Sequence, residues 1–283
     1  CRVCGSNDII DVLDLGVHAL ANSLRASLNE DEYKSPLILC FCKNCEVAQL
    51  SENVDPNKMF STYLWVTGTS KTTRDYSYKF YNKTLEVNNK IPNKVLELAS
   101  NDGTFLIPFK ESKSTIFGID PAKNIAEIAN NNNLKTYVDF FNINSFEKYE
   151  NEIKKVDFVF ARNVLAHVPD PMGFIAGVKK FMHNNSLGAF EFHYNQSIIK
   201  ELHYDSIYHE HYFYYSLKNL IYMLNKNDLY PFDILESPIN SGNLVVYFKL
   251  NKEVFSKNMT KLLNNEESYS ISNLNRWKNF ANQ

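Results

Sequence analysis

From residue 94 onward, short apolar runs alternate with stretches whose apolar residues recur at helical spacing. Residues 94–99, 114–119, 157–161, 187–193 and 243–250 are apolar, strand-sized and bounded by turn formers. Val138-Asp139-Phe140-Phe141 closes a further strand, the third in order. Residues 122–130 and 171–181 lie between strands and read as helices, and the asparagine run 130–133 as a turn. Strand alternating with helix predicts an α/β fold, a Rossmann-like, mostly parallel sheet with helices on both faces. Ligands of such sheets bind beyond the carboxyl ends of the strands. Residues 56–92 alternate aromatic and polar positions and read as a helical connector, most clearly over 72–87. The chain so divides into a cysteine-rich lead (1–55), the connector (56–92), the α/β domain (93–251) and a polar, helical tail (252–283).

The 283 residues suffice for one large core with a small satellite domain. Thirty basic residues stand against 32 acidic ones and no basic block occurs, so nucleic acid and anionic membrane are poor partners. The 17 tyrosines add a second meaning to the aromatic content, because tyrosine can line a site for a polar, ring-shaped ligand. No apolar run is long enough to span a bilayer, and the amino end has no signal-peptide pattern. The expected setting is therefore cytoplasmic and the expected state a monomer. Because the sequence opens on Cys1 rather than Met, it is expected to be a trimmed piece.

All five cysteines fall in the first 45 residues. That asymmetry argues for a local metal site rather than a disulfide framework. Cys1-Arg2-Val3-Cys4 and Cys42-Lys43-Asn44-Cys45 are two CxxC knuckles. Each curls the backbone so that two thiolates converge, and together they complete a tetrahedron of sulfurs suited to Zn²⁺. Gly5 follows the first pair, where the chain must turn tightly. Cys40 lacks knuckle spacing with Cys42. Four protein ligands leave no open position, so the zinc is expected to support folding rather than chemistry.

Residues 95–106 have the form strand, tight loop, helix, with Glu97 near the strand's end, then Ser100, Asn101 and Gly103 in the loop. Gly103 is expected to let the backbone approach a ligand closely. The next strand, Ile116-Phe117-Gly118-Ile119, ends in Asp120, which is followed by Pro121. An acid there can accept hydrogen bonds from both hydroxyls of a ribose. The loop lacks the full GxGxxG pattern and a Walker lysine, which disfavours NAD and ATP. Glu97 and Gly103 paired with Asp120 favour S-adenosylmethionine (SAM). Asp120 can instead cap the helix after Pro121, or do both. Asp139 can take an adenine amino group while Phe140 packs on the ring, or the two can be a loop acid beside a core aromatic.

These motifs resemble the zinc-containing sugar C-methyltransferases, which add a branch methyl to nucleotide-activated keto-deoxysugars. The resemblance is carried by residues 1–6, Leu13-Asp14-Leu15-Gly16, Leu20-Ala21-Asn22-Ser23, residues 42–50 and 97–103, Gly118-Ile119-Asp120-Pro121-Ala122, residues 163–168, and Ile207-Tyr208-His209-Glu210-His211. It implies a class I SAM methyltransferase fold behind a small zinc-binding domain. The implied partner is a small nucleotide-sugar substrate. Members of that family continue into a further carboxy-terminal domain, and the tail at 252–283 would lead toward it. The family's usual Asn-Asn-Val reads Arg162-Asn163-Val164 here. Its Glu-Phe-Pro-His reads Glu191-Phe192-His193-Tyr194, and its Gly-Gly-Ser reads Ser241-Gly242-Asn243. These departures fall near the expected acceptor pocket and bear on the acceptor more than on the cofactor.

Methyl transfer to carbon needs a carbon nucleophile. A base can create one by removing a proton beside a ketone, with donors holding the enolate oxygen. By resemblance, His211 is that base, Glu210 orients or tunes it, and Tyr208 contacts the keto or enolate oxygen. His167, after the fourth strand, is a second polar group for the acceptor, and Tyr63 folds over the sugar. Asn163 joins the cofactor group. On a strand, His209 and His211 would share a face and could be a surface or metal pair. His167 and Tyr63 also fit a plain core role. An O-methyltransferase acting on a surface-glycan precursor would share the cofactor site and use the same histidines on a hydroxyl.

Overall fold

The computed structural model describes residues 1–25, 27, 29–237, 239 and 242–283, so Ser241 lies outside the described residues. The lead forms strands β1 (Ile9–Ala19), β2 (Lys34–Cys42) and β3 (Ala48–Leu50). The connector supplies helices α1 (Pro56–Phe60) and α2 (Lys71–Asn88). Ser70 caps α2 by accepting from the Thr73 amide, and Asn89 ends it in the left-handed region, φ +57°.

The α/β region runs β4 (Lys94–Leu98), α3 (Ile107–Glu111), β5 (Thr115–Asp120), α4 (Lys123–Asn131), β6 (Thr136–Val138), α5 (Ser145–Tyr149), β7 (Val156–Arg162), α6 (Pro171–Lys180) and β8 (Met182–His193). It continues through α7 (Asn195–Lys200), β9 (Phe213–Tyr214), α8 (Leu217–Lys226), β10 (Tyr230–Ser237) and β11 (Asn243–Lys249). The main sheet has seven strands in the order β10-β11-β8-β7-β4-β5-β6. The five strands from β8 to β6 are parallel, and β11 runs against both of its neighbours. Phe158, Val159, Phe160 and Ala161 of β7 are wholly buried, as a central parallel strand covered on both faces must be. One face packs Phe80, Phe105, Phe109, Phe158 and Phe160; the other packs Val159, Ala161, Phe174, Ile175 and Phe190. The chain leaves β4 toward β5 and returns on the other side at β7, which opens a crevice at the carboxyl ends of β4 and β7.

Three features are not evident from the sequence. The lead is a β-sheet, and its fourth strand is β9, which pairs with β3 from more than 160 positions further along the chain. The 243–250 run is the reversed strand β11, hairpinned with β10, whose alternating buried and half-exposed positions hide it from a search for apolar runs. The tail is helical, as α9 (Lys257–Tyr269) and α10 (Leu274–Ala281), but it folds back onto the body. Trp277 is wholly buried against Tyr214 and the front sheet. The Glu266 carboxylate accepts from the Leu217 and Lys218 amides and the Tyr194 hydroxyl, capping α8 from outside. No helix among the described residues is long and apolar enough to cross a membrane.

Candidate active site

The sulfurs of Cys1, Cys4, Cys42 and Cys45 all lie within 4.8 Å of one another, with Cys1–Cys45 and Cys4–Cys42 each 3.6 Å apart. A tetrahedral Zn²⁺ with bonds of about 2.3 Å separates its sulfurs by about 3.8 Å, so the quartet fits that ion. Gly5, at φ +75°, donates to the Cys1 carbonyl and closes the first knuckle. Cys40 points away and donates to Asp11; burial and that carboxylate push its thiol up to about 12.

At the exit of β4, Ala99, Asn101 and Gly103 alternate in the left-handed region, at φ +51°, +51° and +77°. Glycine adopts that conformation freely, asparagine tolerates it, and alanine stores strain there. A Cβ at Gly103 would sit 2.7 Å from Leu134 Cδ1, so packing and the turn also favour glycine there. The connector lies along this loop. Asn101 accepts from the Thr67 amide and donates to the Trp65 carbonyl, and Asp102 accepts from the Gly68 amide. A Cβ at Gly68 would stand 2.5 Å from Asp102, which explains the glycine.

Two side-chain atoms here, Glu97 Oε2 at the end of β4 and Ser100 Oγ in the loop, are buried without partners among the described residues. Burial pushes the Glu97 carboxyl well above the usual range; Arg162 opposes the shift, and Asp102, Asp120 and Glu191 add to it. Asp120 accepts from the backbone amides of Asn101 at 2.8 Å and Ala122 at 2.9 Å, so it does anchor the turn through Pro121 into α4. Burial raises it to about 6 against those two donors. Asp139 follows β6, donates its amide to the Asp120 carbonyl, and accepts from Lys148 and Tyr149 on Oδ2; it and Phe140 are half-buried. Asn163, at φ +52° just past β7, accepts from Asn243 at 2.8 Å.

Residues 208–211 form a turn, the His211 amide donating to the Tyr208 carbonyl, and not a strand. The turn brings the Tyr208 hydroxyl 3.3 Å from His211 Nε2, and His211 Nδ1 lies 2.9 Å from the Ser206 carbonyl. The turn also sends Glu210 the other way. Its carboxylate accepts from Asn22 at 2.6 Å and Tyr63 at 3.5 Å, so Ser206 rather than Glu210 fixes the His211 ring. His209 is buried against the Ser35 carbonyl, 3.0 Å away, and is neither on the surface nor in a metal-sized group with His211 among the described residues. His167 stacks edge-on to His211 with centroids 4.9 Å apart, and burial drops its pKa to about 4. Burial, with His167 next, holds His211 well below the ordinary histidine value.

Tyr63 links the two halves of the crevice. Its backbone is tied to Asn124 on α4, and its phenol is held up by burial, then by Glu210 and Asp120. The sequence motifs contain Asn22 and His193 without marking a role for either, and nothing in them marks Ser206. The His193 ring centroid stands 6.4 Å from that of His211; its buried Nε2 has no partner among the described residues, and its Nδ1 lies 3.4 Å from Ser206 Oγ.

Residues 1–60 match a family described as "Putative zinc binding domain", and residues 72–232 one described as "Methyltransferase domain". The second match spans more than half of the chain. The chain belongs to that methyltransferase family. With this sheet order it is a SAM-dependent methyltransferase of class I fold, carrying a four-cysteine zinc site at its front. It is 27% identical over 250 residues to C-methyltransferase NovU of Streptomyces niveus, covering 87% of this chain and 60% of that protein. Among solved structures, the plantazolicin methyltransferase BpumL complexed with a desmethyl-plantazolicin analogue and SAH superposes with TM-score 0.51 at 14% identity, over 64% of this chain and 85% of that one. Magnesium protoporphyrin IX methyltransferase from Synechocystis PCC 6803 with bound SAM gives TM-score 0.48 at 10% identity, over 63% and 79%.

Proposed function

We propose that the enzyme methylates carbon, on a nucleotide-linked keto-deoxysugar, by base-assisted enolate formation. The observation that carries this reading is the hydrogen bond from His211 to the Ser206 carbonyl. A carbonyl only accepts, so Nδ1 bears the proton and Nε2 keeps its lone pair. Burial keeps the ring neutral. A neutral imidazole at the rim of an α/β crevice, with the Tyr208 hydroxyl against its basic nitrogen, is equipped to take a proton from a carbon beside a ketone. Tyr208 then donates to the enolate oxygen, and His167 offers a further polar contact. The likeness to a C-methyltransferase and the 207–211 motif support carbon as the acceptor.

SAM supplies the electrophilic methyl. Asp120 would hold the ribose hydroxyls, with Pro121 shaping the turn beneath. Asp139 and Phe140 would face the adenine. Glu97, Ser100, Asn101, Gly103 and Asn163 would line the rest. The unpartnered atoms of Glu97 and Ser100 suit a polar ligand that completes them. Tyr63, between Asp120 and Glu210, would close over the sugar. Ionised Asp120 accepts both hydroxyls and protonated Asp120 does not. SAM affinity measured by calorimetry should therefore fall as pH drops through about 6. An affinity flat across that range would remove Asp120 from the ribose.

The reaction class is tested by incubating the keto-deoxysugar nucleotide with enzyme in D₂O without SAM. Washout of the proton next to the carbonyl is expected for carbon methylation. Retention of that proton, with methyl later found on oxygen, would make the enzyme an O-methyltransferase.

A further inference from the structure

Methyl transfer to carbon leaves a proton behind. The electron pair of the C–H bond becomes the enolate, the enolate takes the SAM methyl, the C–S pair returns to sulfur, and the proton stays on His211. It must leave before the next cycle, and a crevice filled by sugar and cofactor excludes water. A second route runs through the fold. His211, His193 and His203 stand in a row, with ring centroids 6.4 Å and then 5.8 Å apart. His193 ends β8, and His203 follows α7. Ser206 holds both inner rings, its carbonyl 2.9 Å from His211 Nδ1 and its hydroxyl 3.4 Å from His193 Nδ1. His193 Nε2 is buried and has no hydrogen-bond partner among the described residues. Such an atom is uncommon and asks for a role. His203 lines a surface cavity together with the exposed Lys200 and Glu201. The row therefore runs from the base to solvent. The other neighbours of His211 give no such exit: burial keeps the Tyr208 phenol protonated, and His167 packs edge-on to Phe60.

We infer that His193 and His203 carry the abstracted proton from His211 to the outer cavity while the crevice is still occupied, an inference that rests on the carbon methylation proposed above. The His211 imidazolium gives one proton to His193 Nε2, His193 passes one on to His203, and His203 releases it to bulk water, so that each ring ends neutral. The gap between His211 and His193 is too long for a direct hydrogen bond and is one that a bridging water spans. Burial matches the two inner rings. It holds His211 well below the ordinary histidine value and, with His203 next and Asp205 opposing, lowers His193 to about 4. A proton therefore meets no large step between them, and neither ring traps it.

Two rates on the same variants test this. One is washout of the proton beside the carbonyl in D₂O without SAM, at saturating keto-deoxysugar nucleotide. There each abstracted proton either returns to its own carbon or escapes along the row and is replaced by deuterium. The other is single-turnover methyl transfer with SAM, which starts from neutral His211 and needs no exit. His193→Asn keeps a polar atom for Ser206 but cannot relay a proton. His203→Gln changes a ring that hydrogen-bonds neither Ser206 nor His211 among the described residues. Each variant should slow washout on the order of 10-fold or more and leave the single-turnover rate within about twofold of wild type. Unchanged washout in either variant would overturn the row. So would an equal fall in both rates, which is what a merely structural role of His193 in seating Ser206 predicts. Wild-type enzyme that retains the proton yet methylates carbon would also overturn the inference. Retention with methyl found on oxygen would instead overturn carbon methylation itself, a distinguishable failure.

Discussion

His211→Ala is expected to lower turnover on the order of 10²-fold or more while leaving SAM affinity unchanged. The expectation follows from tautomer and position. Nδ1 is committed to Ser206, so Nε2 is the ring's one basic atom, and its hydrogen-bond partner among the described residues is the Tyr208 hydroxyl. The depressed pKa has a sign that can be checked. An exposed histidine gains a proton as pH falls through about 6.5 and ceases to be a base. Here burial holds the ring neutral past that point, so kcat at saturating SAM should stay level through 6.5 and drop only at lower pH. Single-turnover rates with the keto-sugar nucleotide, alongside calorimetry with SAM, give both readouts. Near-normal turnover in His211→Ala would remove it as the base and shift the role to His167, whose ring is 4.9 Å away.

Much of this site was legible because its parts are local. The run Glu97 to Gly103, the acid at Asp120 and the two CxxC knuckles are short stretches whose chemistry depends on neighbours a few residues away. The parallel strands were equally readable, since Val95, Leu96 and Leu98 are buried on both faces and so form continuous apolar runs. What the sequence hid were long-range pairings. Nothing near Glu210 announces that its partner is Asn22, 188 positions away. Nothing in Phe213-Tyr214 marks two residues as the edge of a sheet begun at Ile9. A turn, not a strand, at 208–211 likewise decides which side chain His211 meets, and period-2 reasoning assigns that wrongly. Tail helices with few apolar residues read as solvent-facing until Trp277 and Phe280 are seen buried together.

Those long-range pairings join the metal site to the turn that carries His211. Arg2, inside the first knuckle, donates to the Leu50 and Tyr212 carbonyls and lies over the Phe213 ring. Tyr212 follows His211 directly, its amide bonded to the Ala166 carbonyl beside His167. Asn219 on α8 donates to the Cys45 carbonyl, and Asn22 holds Glu210. The turn carrying His211 is therefore braced by the front sheet from one side and by the segment around His167 from the other. The loop after β4 rests on β4, β5 and the connector, and among the described residues no hydrogen bond joins it to the knuckles.

Removal of the metal should accordingly separate the two halves of the function. Intact protein is expected to carry about one zinc per chain. Structural zinc in small zinc-finger peptides contributes about 10–16 kcal/mol of apparent folding free energy at neutral pH. Chelation, or Cys4→Ser with Cys42→Ser, should melt strands β1 to β3, release β9 and abolish turnover. SAM affinity should fall far less, because the loop after β4 keeps its own supports. Metal analysis, circular dichroism, turnover and calorimetry on one chelator titration follow all four quantities together. If zinc-free protein kept its turnover, the knuckles would have no part in holding His211. If SAM binding vanished in step with turnover, the cofactor loop would depend on the front domain through contacts other than those described, and the division between the halves would fail.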